Sequence, residues 1–155
     1  LTMPFTDTEL VLGKYLASMS VVLVTLAASL PVPVMVSMFG RFDAGIIVSE
    51  YLGAILMGSA SVAIGQAVSG ASRNQMSAFM VTVLLLLALS LLSQATTLVD
   101  MPAWLAGAVN WLSLSYHFSS FSRGVLDTRD LAYFVLLTAG SLVLTVRFLA
   151  EGRWR

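Results

Sequence analysis

Charge is what this sequence has least of. Only 10% of its 155 residues are Asp, Glu, Lys or Arg, whereas soluble domains carry roughly 25%. Four stretches hold no charged residue at all: 15–40, 51–72, 74–99 and 131–146. Three reach the length of about 20 residues that a helix needs to cross a bilayer, and the flanks extend the fourth. With a mean hydropathy of +0.92, the chain is predicted to be a polytopic membrane protein.

Cysteine is absent altogether, which excludes disulfides and thiolate metal sites within this chain. The formal net charge is zero, and no basic residues cluster into a stripe that could follow phosphates. Nucleic acid is therefore not an expected partner. No signal peptide is expected at the start of this sequence, because no charged segment followed by an apolar core precedes the first span.

The apolar stretches predict an all-α fold with four transmembrane helices. Their expected bounds are residues 14–38, 49–69, 76–94 and 131–149. Thr6 or Asp7 should cap the first helix, with Glu9 in its first turn. Pro31 and Pro33 should kink or end that helix near its far end.

Small residues distinguish the second predicted span. Lipid gives helices no hydrophobic reason to associate, so rows of small residues let two backbones approach closely and gain dispersion contacts. We expect this helix to lie centrally in the bundle, whereas the leucine-rich run 84–92 of the third span should face lipid. The expected packing residues are Ser59, Ser61, Ala63, Gly65, Ala67 and Ser69.

The segment 100–130 is too polar for an ordinary span, although residues 101–122 carry no formal charge. It holds a proline, an asparagine, a histidine and several serines. A re-entrant or interfacial helical hairpin fits this composition, since irregular backbone at membrane depth is tolerated where protein or a water-lined cavity covers it. Trp104, Trp111 and Tyr116 would suit the headgroup level.

His117 is the single histidine. A metal site would need companion ligands, and no Cys, second His or carboxylate lies within one helical turn of it. A Ser–His hydrolase is a second possibility, but no G-x-S-x-G motif occurs, and serines in membrane helices more often bond the backbone or pack closely. Neither interpretation is favoured, and no metal or cofactor is expected.

A charged cluster follows the hairpin. Arg123 and Asp127 are spaced to pair at i,i+4, and Asp130 could cap the last helix. A role in ordering the hairpin is favoured. The second possibility is that these residues, together with Arg129, guide a substrate at an external gate. No ionisable residue lies near the middle of a span, so the sequence offers no intramembrane proton or ion relay.

Basic residues near the span ends set the expected orientation. Five of them would lie inside if the amino terminus is cytoplasmic, against three outside. Both ends of the chain are therefore expected in the cytoplasm. The inside group is Lys14, Arg73, Arg147, Arg153 and Arg155, and the outside group is Arg41, Arg123 and Arg129.

Three stretches, in order, resemble the permease subunits of type-two ABC transporters, particularly the gliding-motility-like branch. They are LTMPFTDTELVLGKYLAS at the start, YLGAILMGSASVAIGQAVSGASRNQ in the middle and HFSSFSRGVLDTRDLAYFVLLTA near the end. The last is the most distinctive, and together they span essentially the whole chain. The resemblance implies a fragment that lacks the first two of six helices.

By the same resemblance, two permease copies pair as a homo- or heterodimer in the bacterial inner membrane, and each binds a separate ABC ATP-binding subunit. Residues 1–14 would end the cytoplasmic coupling segment, and the hairpin would lie at the external face. The residues expected at the ATPase-coupling segment are Leu1, Thr2, Pro4, Thr6, Asp7 and Lys14. Those expected in the external hairpin are His117, Phe118, Phe121, Arg123, Gly124, Asp127, Arg129 and Asp130.

The chain itself has no ATP-binding loop. Lys14 follows Gly13, but a Walker A motif would also need glycine at position 8 and Ser or Thr at position 15, where Thr8 and Tyr15 stand. The expected function is thus a non-enzymatic permease subunit of an ATP-driven exporter. A non-transporting membrane scaffold or assembly subunit of an envelope complex is the alternative.

Overall fold

The computed structural model describes residues 4–152. Within that range every regular element is a helix, in agreement with the all-α prediction. The helices are α1 (Asp7–Ser29), α2 (Pro31–Phe39), α3 (Ala44–Ala71), α4 (Gln75–Leu98), α5 (Ala103–Leu112), α6 (Leu114–Ser122) and α7 (Thr128–Gly152).

Four helical units are long and apolar enough to cross a membrane: α1 with α2, then α3, α4 and α7. The four predicted spans are confirmed, and each helical unit begins before and ends after its predicted bounds. The early starts arise because polar caps, rather than the ends of the apolar runs, fix where the helices begin. Thr6 caps α1 in a reciprocal capping box with Glu9, Asp43 caps α3 and Asn74 caps α4.

The first helical unit is interrupted directly before Pro31, as its two prolines led us to expect. α1 ends at Ser29, Leu30 keeps helical dihedral angles, and α2 begins at Pro31. A proline removes one backbone donor and clashes with the preceding turn, so the helix is interrupted there. None of the nine residues of α2 is buried.

α3 is the central helix, as its small residues predicted. It packs against α1, α4, α6 and α7. Gly53 shows how close the packing is: a Cβ added there would stand 2.7 Å from the Phe121 Cβ atom. Six α3 residues are buried, namely Ser49, Gly53, Ala60, Ala63, Ile64 and Ala67.

Two short helices, α5 and α6, form the predicted hairpin before the last span. They meet at Ser113, which is extended and whose Oγ atom accepts a hydrogen bond from the backbone N–H of Tyr116. Leu114 and Phe121 of α6 are completely buried against Ala60 of α3 and Phe134 of α7. The hairpin lies beside the first half of α3 and the start of α7, at the end of the bundle here called the hairpin end. The start of α1 and the last turns of α7 lie beside the end of α3, at the opposite end, here called the terminal end.

Candidate functional site

A buried histidine–aspartate pair joins the hairpin to the last span. The His117 Nδ1 atom lies 2.6 Å from the Asp130 Oδ1 atom, and the His117 Nε2 atom lies 2.8 Å from the backbone oxygen of Trp111. The side chains are only 4% and 7% exposed. Thirteen residues and a change of helix separate the two partners, so the pair arises only from the tertiary fold.

The two distances fix how many protons the pair holds. A carbonyl oxygen can only accept, so Nε2 must carry a hydrogen. If Asp130 is ionised, Nδ1 must carry one too, because two lone pairs would otherwise face each other. If Asp130 is protonated, its carboxyl O–H donates to Nδ1, which then carries no hydrogen. Either way the pair is neutral overall, which suits its burial among apolar residues.

Aromatic rings enclose the pair. The imidazole stacks on the Tyr133 ring with centroids 3.8 Å apart and planes 16° apart. Phe134 meets it edge-on at 6.5 Å. The Tyr133 hydroxyl donates to the backbone oxygen of Leu112 at 2.8 Å, so α7 is tied to the end of α5 as well as to α6.

These contacts correct the interpretation of the charged cluster. Asp130 is buried and bound to His117, so it does not cap α7. Asp127 does so instead, accepting from the backbone N–H of Arg129 at 3.0 Å. Within residues 4–152 Arg123 forms no ion pair with Asp127; its Nε–H donates to the backbone oxygen of Ser119 at 3.2 Å. The i,i+4 spacing fails because α6 ends at Ser122 and the backbone turns at Gly124, where φ is +76°.

The same observations bear on the two chemical roles considered for His117. Both ring nitrogens are engaged, so in this arrangement neither is free to activate a serine. A carboxylate does bind the imidazole, although the sequence placed none within a helical turn. Among the described residues no group of three or more His, Cys, Asp or Glu could hold a metal ion.

A cleft of about 810 Å³ opens beside the pair. We call it the hairpin cleft: it lies between α5, α6 and the first part of α7, with Leu89 of α4 at its far wall. Tyr133, His117 and Asp130 line it. The Oδ2 atom of Asp130 is buried without a hydrogen-bond partner in the described chain.

The other predicted hairpin residues are structural or lie at the rim. Phe118 and Phe121 pack against Gly53 of α3. Gly124 has the left-handed backbone that favours glycine, and an added Cβ would stand 3.0 Å from the Ile46 side chain. Arg123, Asp127 and Arg129 are exposed and line the hairpin cleft.

The predicted coupling residues lie at the terminal end. Leu1 and Thr2 fall outside the described residues. Pro4 and Thr6 are exposed, and Asp7 begins α1. Lys14 is exposed two turns into that helix, so residues 7–14 are continuous with the first span rather than a separate segment.

Hydroxyl groups link α1, α3 and α7 between the two ends, a feature that the sequence did not reveal. The Tyr15 hydroxyl lies 2.5 Å from the Ser59 Oγ atom, which lies 3.1 Å from the Thr138 Oγ1 atom. Thr138 donates its one hydrogen to the Phe134 backbone oxygen at 2.8 Å. Ser59 must therefore donate to Thr138, and Tyr15 to Ser59.

The predicted small-residue rows are only partly buried. Ala63 and Ala67 are buried; Ser59, Ser61 and Gly65 are half-buried. Ser69 lies in the last turn of α3 and is exposed, so its packing role stays a prediction.

Comparisons of the chain with protein-family models, curated proteins and solved structures find no match. The four apolar helices support a membrane protein.

Proposed function

We propose that this chain is a membrane-spanning permease subunit of an ATP-driven ABC exporter of the type-two class. Two permeases would pair to form the path, and a separate subunit would hydrolyse ATP. The observation that carries the proposal is an agreement between two sources. The three resembling stretches imply four final spans with a hairpin before the last, and the fold has four apolar helices with α5 and α6 directly before α7.

The absence of charged residues from the middle of the long helices also supports a mechanically driven permease. A proton- or sodium-coupled carrier normally binds its ion at acidic groups or broken helices near the bilayer midplane. Here the long helices have charge-free central stretches, and the helix break at Leu30 carries no charged side chain beside it in the sequence. Energy delivered by a cytoplasmic partner needs no such group.

A physical route from the start of α1 to the central helix exists. The Gln66 side-chain amide of α3 donates to the Val11 backbone oxygen of α1 at 3.4 Å, and the Tyr15–Ser59 contact follows one turn further along. In the proposed cycle, ATP binding closes the partner ATPases, which push on residues 4–14. α3 then shifts as a rigid body against its neighbours and opens a path between the paired permeases.

The orientation belongs to the same proposal. The terminal end would face the bacterial cytoplasm, where the ATPase binds, and the hairpin end would face outward.

The first experiment is to purify the full-length protein from its native membrane in mild detergent and identify co-purifying subunits by mass spectrometry. A stoichiometric subunit with a Walker A sequence supports the transporter. Recovery without any ATPase, across several detergents and salt concentrations, would favour the non-transporting scaffold.

Coupling is tested on that complex with a double variant, Pro4→Ala with Asp7→Lys. We expect it to lose substrate-stimulated ATPase turnover, because both changes lie at the surface proposed to receive the ATPase. Asp100→Lys is the matched control: it reverses an exposed charge at the hairpin end and should leave turnover unchanged. Unchanged turnover in the double variant would remove the coupling role.

A further inference from the structure

The hairpin cleft combines a charged end with an apolar end. Arg123 and Arg129 lie on its rim at the hairpin end of the bundle, where α7 begins. Leu136 and Leu137 line it further along α7. Seven residues of helix separate Arg129 from Leu136, which is about 10 Å toward the middle of the span.

The cleft has an excess of positive charge. His117 and Asp130 neutralise each other, as their shared protons require. The Asp127 carboxylate is occupied in part by the cap of α7. Two guanidinium groups therefore face a single unneutralised carboxylate, and within residues 4–152 neither of them forms an ion pair.

The apolar end faces the surroundings of the bundle rather than its core. Leu136 is 67% exposed and Trp111 is 61% exposed, although both line the cleft. Leu136 belongs to the span α7, where an exposed side chain meets acyl chains, so this side of the cleft is open to lipid. Its volume of about 810 Å³ lies within the range of about 300–1,000 Å³ typical of small-molecule sites.

We propose that the hairpin cleft binds an anionic amphiphile, with its phosphate or carboxylate headgroup between Arg123 and Arg129 and its acyl chain along α7 past Leu136. Guanidinium groups are suited to such headgroups because their planar fork matches two oxygens. The ring of Trp111 would cover the start of the acyl chain. The site does not depend on the proposed transport function, because it needs neither the ATPase nor a second permease.

The test uses the full-length protein in detergent micelles, with Trp104→Phe and Trp154→Phe introduced so that Trp111 is the reporter within this chain. Phosphatidylglycerol with brominated acyl chains is added, and quenching of tryptophan fluorescence is followed to saturation. Phosphatidylcholine with the same chains is the neutral-headgroup comparison. We expect the anionic lipid to bind about tenfold more tightly, since two guanidinium groups attract its headgroup and only one unneutralised carboxylate opposes them.

The rim arginines are then replaced together, Arg123→Gln with Arg129→Gln. Both are exposed, so the fold should persist, which circular dichroism checks. We expect the headgroup preference to fall to about twofold or less. Arg73→Gln with Arg147→Gln, two exposed arginines at the terminal end, should keep the full preference.

Three results would overturn the proposal. Equal quenching by the two lipids would mean that the cleft does not select charge. Retention of the preference in the Arg123/Arg129 variant would place the selection elsewhere. Full competition by glycerol 3-phosphate at the affinity of the lipid would make the site one for small anions, with no part played by the acyl chain. None of these results depends on whether an ATPase co-purifies.

Discussion

His117 shows how a single residue can hold two elements together without adding net charge to the interior of the bundle. Its two nitrogens bind Asp130 of α7 and the end of α5, and its face rests on Tyr133. Removing one partner of a buried pair is costly because the other is left without compensation.

We therefore predict that His117→Ala lowers the free energy of unfolding by about 3–5 kcal/mol, because it leaves a buried carboxylate alone. Asp130→Asn should cost only about 0.5–1.5 kcal/mol, since an amide N–H can donate to Nδ1 while Nε2–H still donates to Trp111. Chemical unfolding in mixed micelles measures both.

The combined variant sharpens this prediction. Asp130→Asn placed in the His117→Ala background should recover part of the lost stability, because it removes the unpaired charge. If Asp130→Asn alone is as damaging as His117→Ala, the pair depends on full ionisation, and an amide does not replace the carboxylate.

The identity of this pair was beyond sequence reasoning. A window of one helical turn around His117 contains no carboxylate, and Asp130 looked like a cap because it stands at the start of an apolar run. Only the fold of α6 against α7 brings the two side chains within 2.6 Å. Spacing rules apply within one helix, and α6 ends at Ser122, between His117 and Asp130.

At the scale of elements, α3 and α6 pack closely because Gly53 has no side chain. A Cβ at Gly53 would meet the Phe121 Cβ atom at 2.7 Å and the Phe118 Cε2 atom at 3.0 Å. We predict that Gly53→Ala destabilises the fold by about 1–3 kcal/mol through overpacking. Gly140→Ala is the control: nothing lies within 4 Å of its added Cβ, and α7 should gain up to about 1 kcal/mol of helix propensity.

Thermal unfolding of the two glycine variants in detergent distinguishes them. Equal melting temperatures would show that α6 can move away from α3 at little cost, contrary to the close packing described.

The hydroxyl link between α1, α3 and α7 gives a second prediction at this scale. Ser59→Ala removes the residue that both accepts from Tyr15 and donates to Thr138, so the free energy of unfolding should fall by about 0.6–2 kcal/mol. Ser61→Ala should change it by less than about 0.5 kcal/mol, because that hydroxyl donates only to the Met57 backbone oxygen of its own helix.

A double-mutant cycle of Tyr15→Phe with Ser59→Ala measures the coupling directly. A coupling energy of zero would mean that the 2.5 Å contact contributes nothing to holding α1 on α3.

The helices were predictable because long charge-free runs and small-residue rows leave few alternatives in a membrane. Central placement of α3 followed from the same rows, and the break at Leu30 followed from Pro31. The cap of α1 at Thr6 was among the two predicted positions. The exact bounds of the later helices were not predictable, because Asp43 and Asn74 cap helices outside the apolar runs. Nor was the hydroxyl link, since serine and threonine hydroxyls at those positions could equally have bonded only the backbone of their own helices.

For the whole molecule, four crossings place both ends of the described chain on one side of the membrane. We predict that a single cysteine at Asp127 is labelled by an impermeant maleimide added to intact cells, whereas one at Arg73 is labelled only after permeabilisation. This chain has no cysteine of its own, so each substitution reports on one position. The reverse labelling pattern would invert the proposed orientation and put the hairpin end beside the ATPase.

The charge-free stretches and the neutral His117–Asp130 pair also decide how the molecule responds to an electric field. A charge moved through 100 mV exchanges about 2.3 kcal/mol with the membrane potential. Shifts of α3 against α1, α4 and α7 would carry almost no charge through the middle of that field. A helix rearrangement in this bundle should therefore produce no gating current, and its energetics should be the same in energised and de-energised cells.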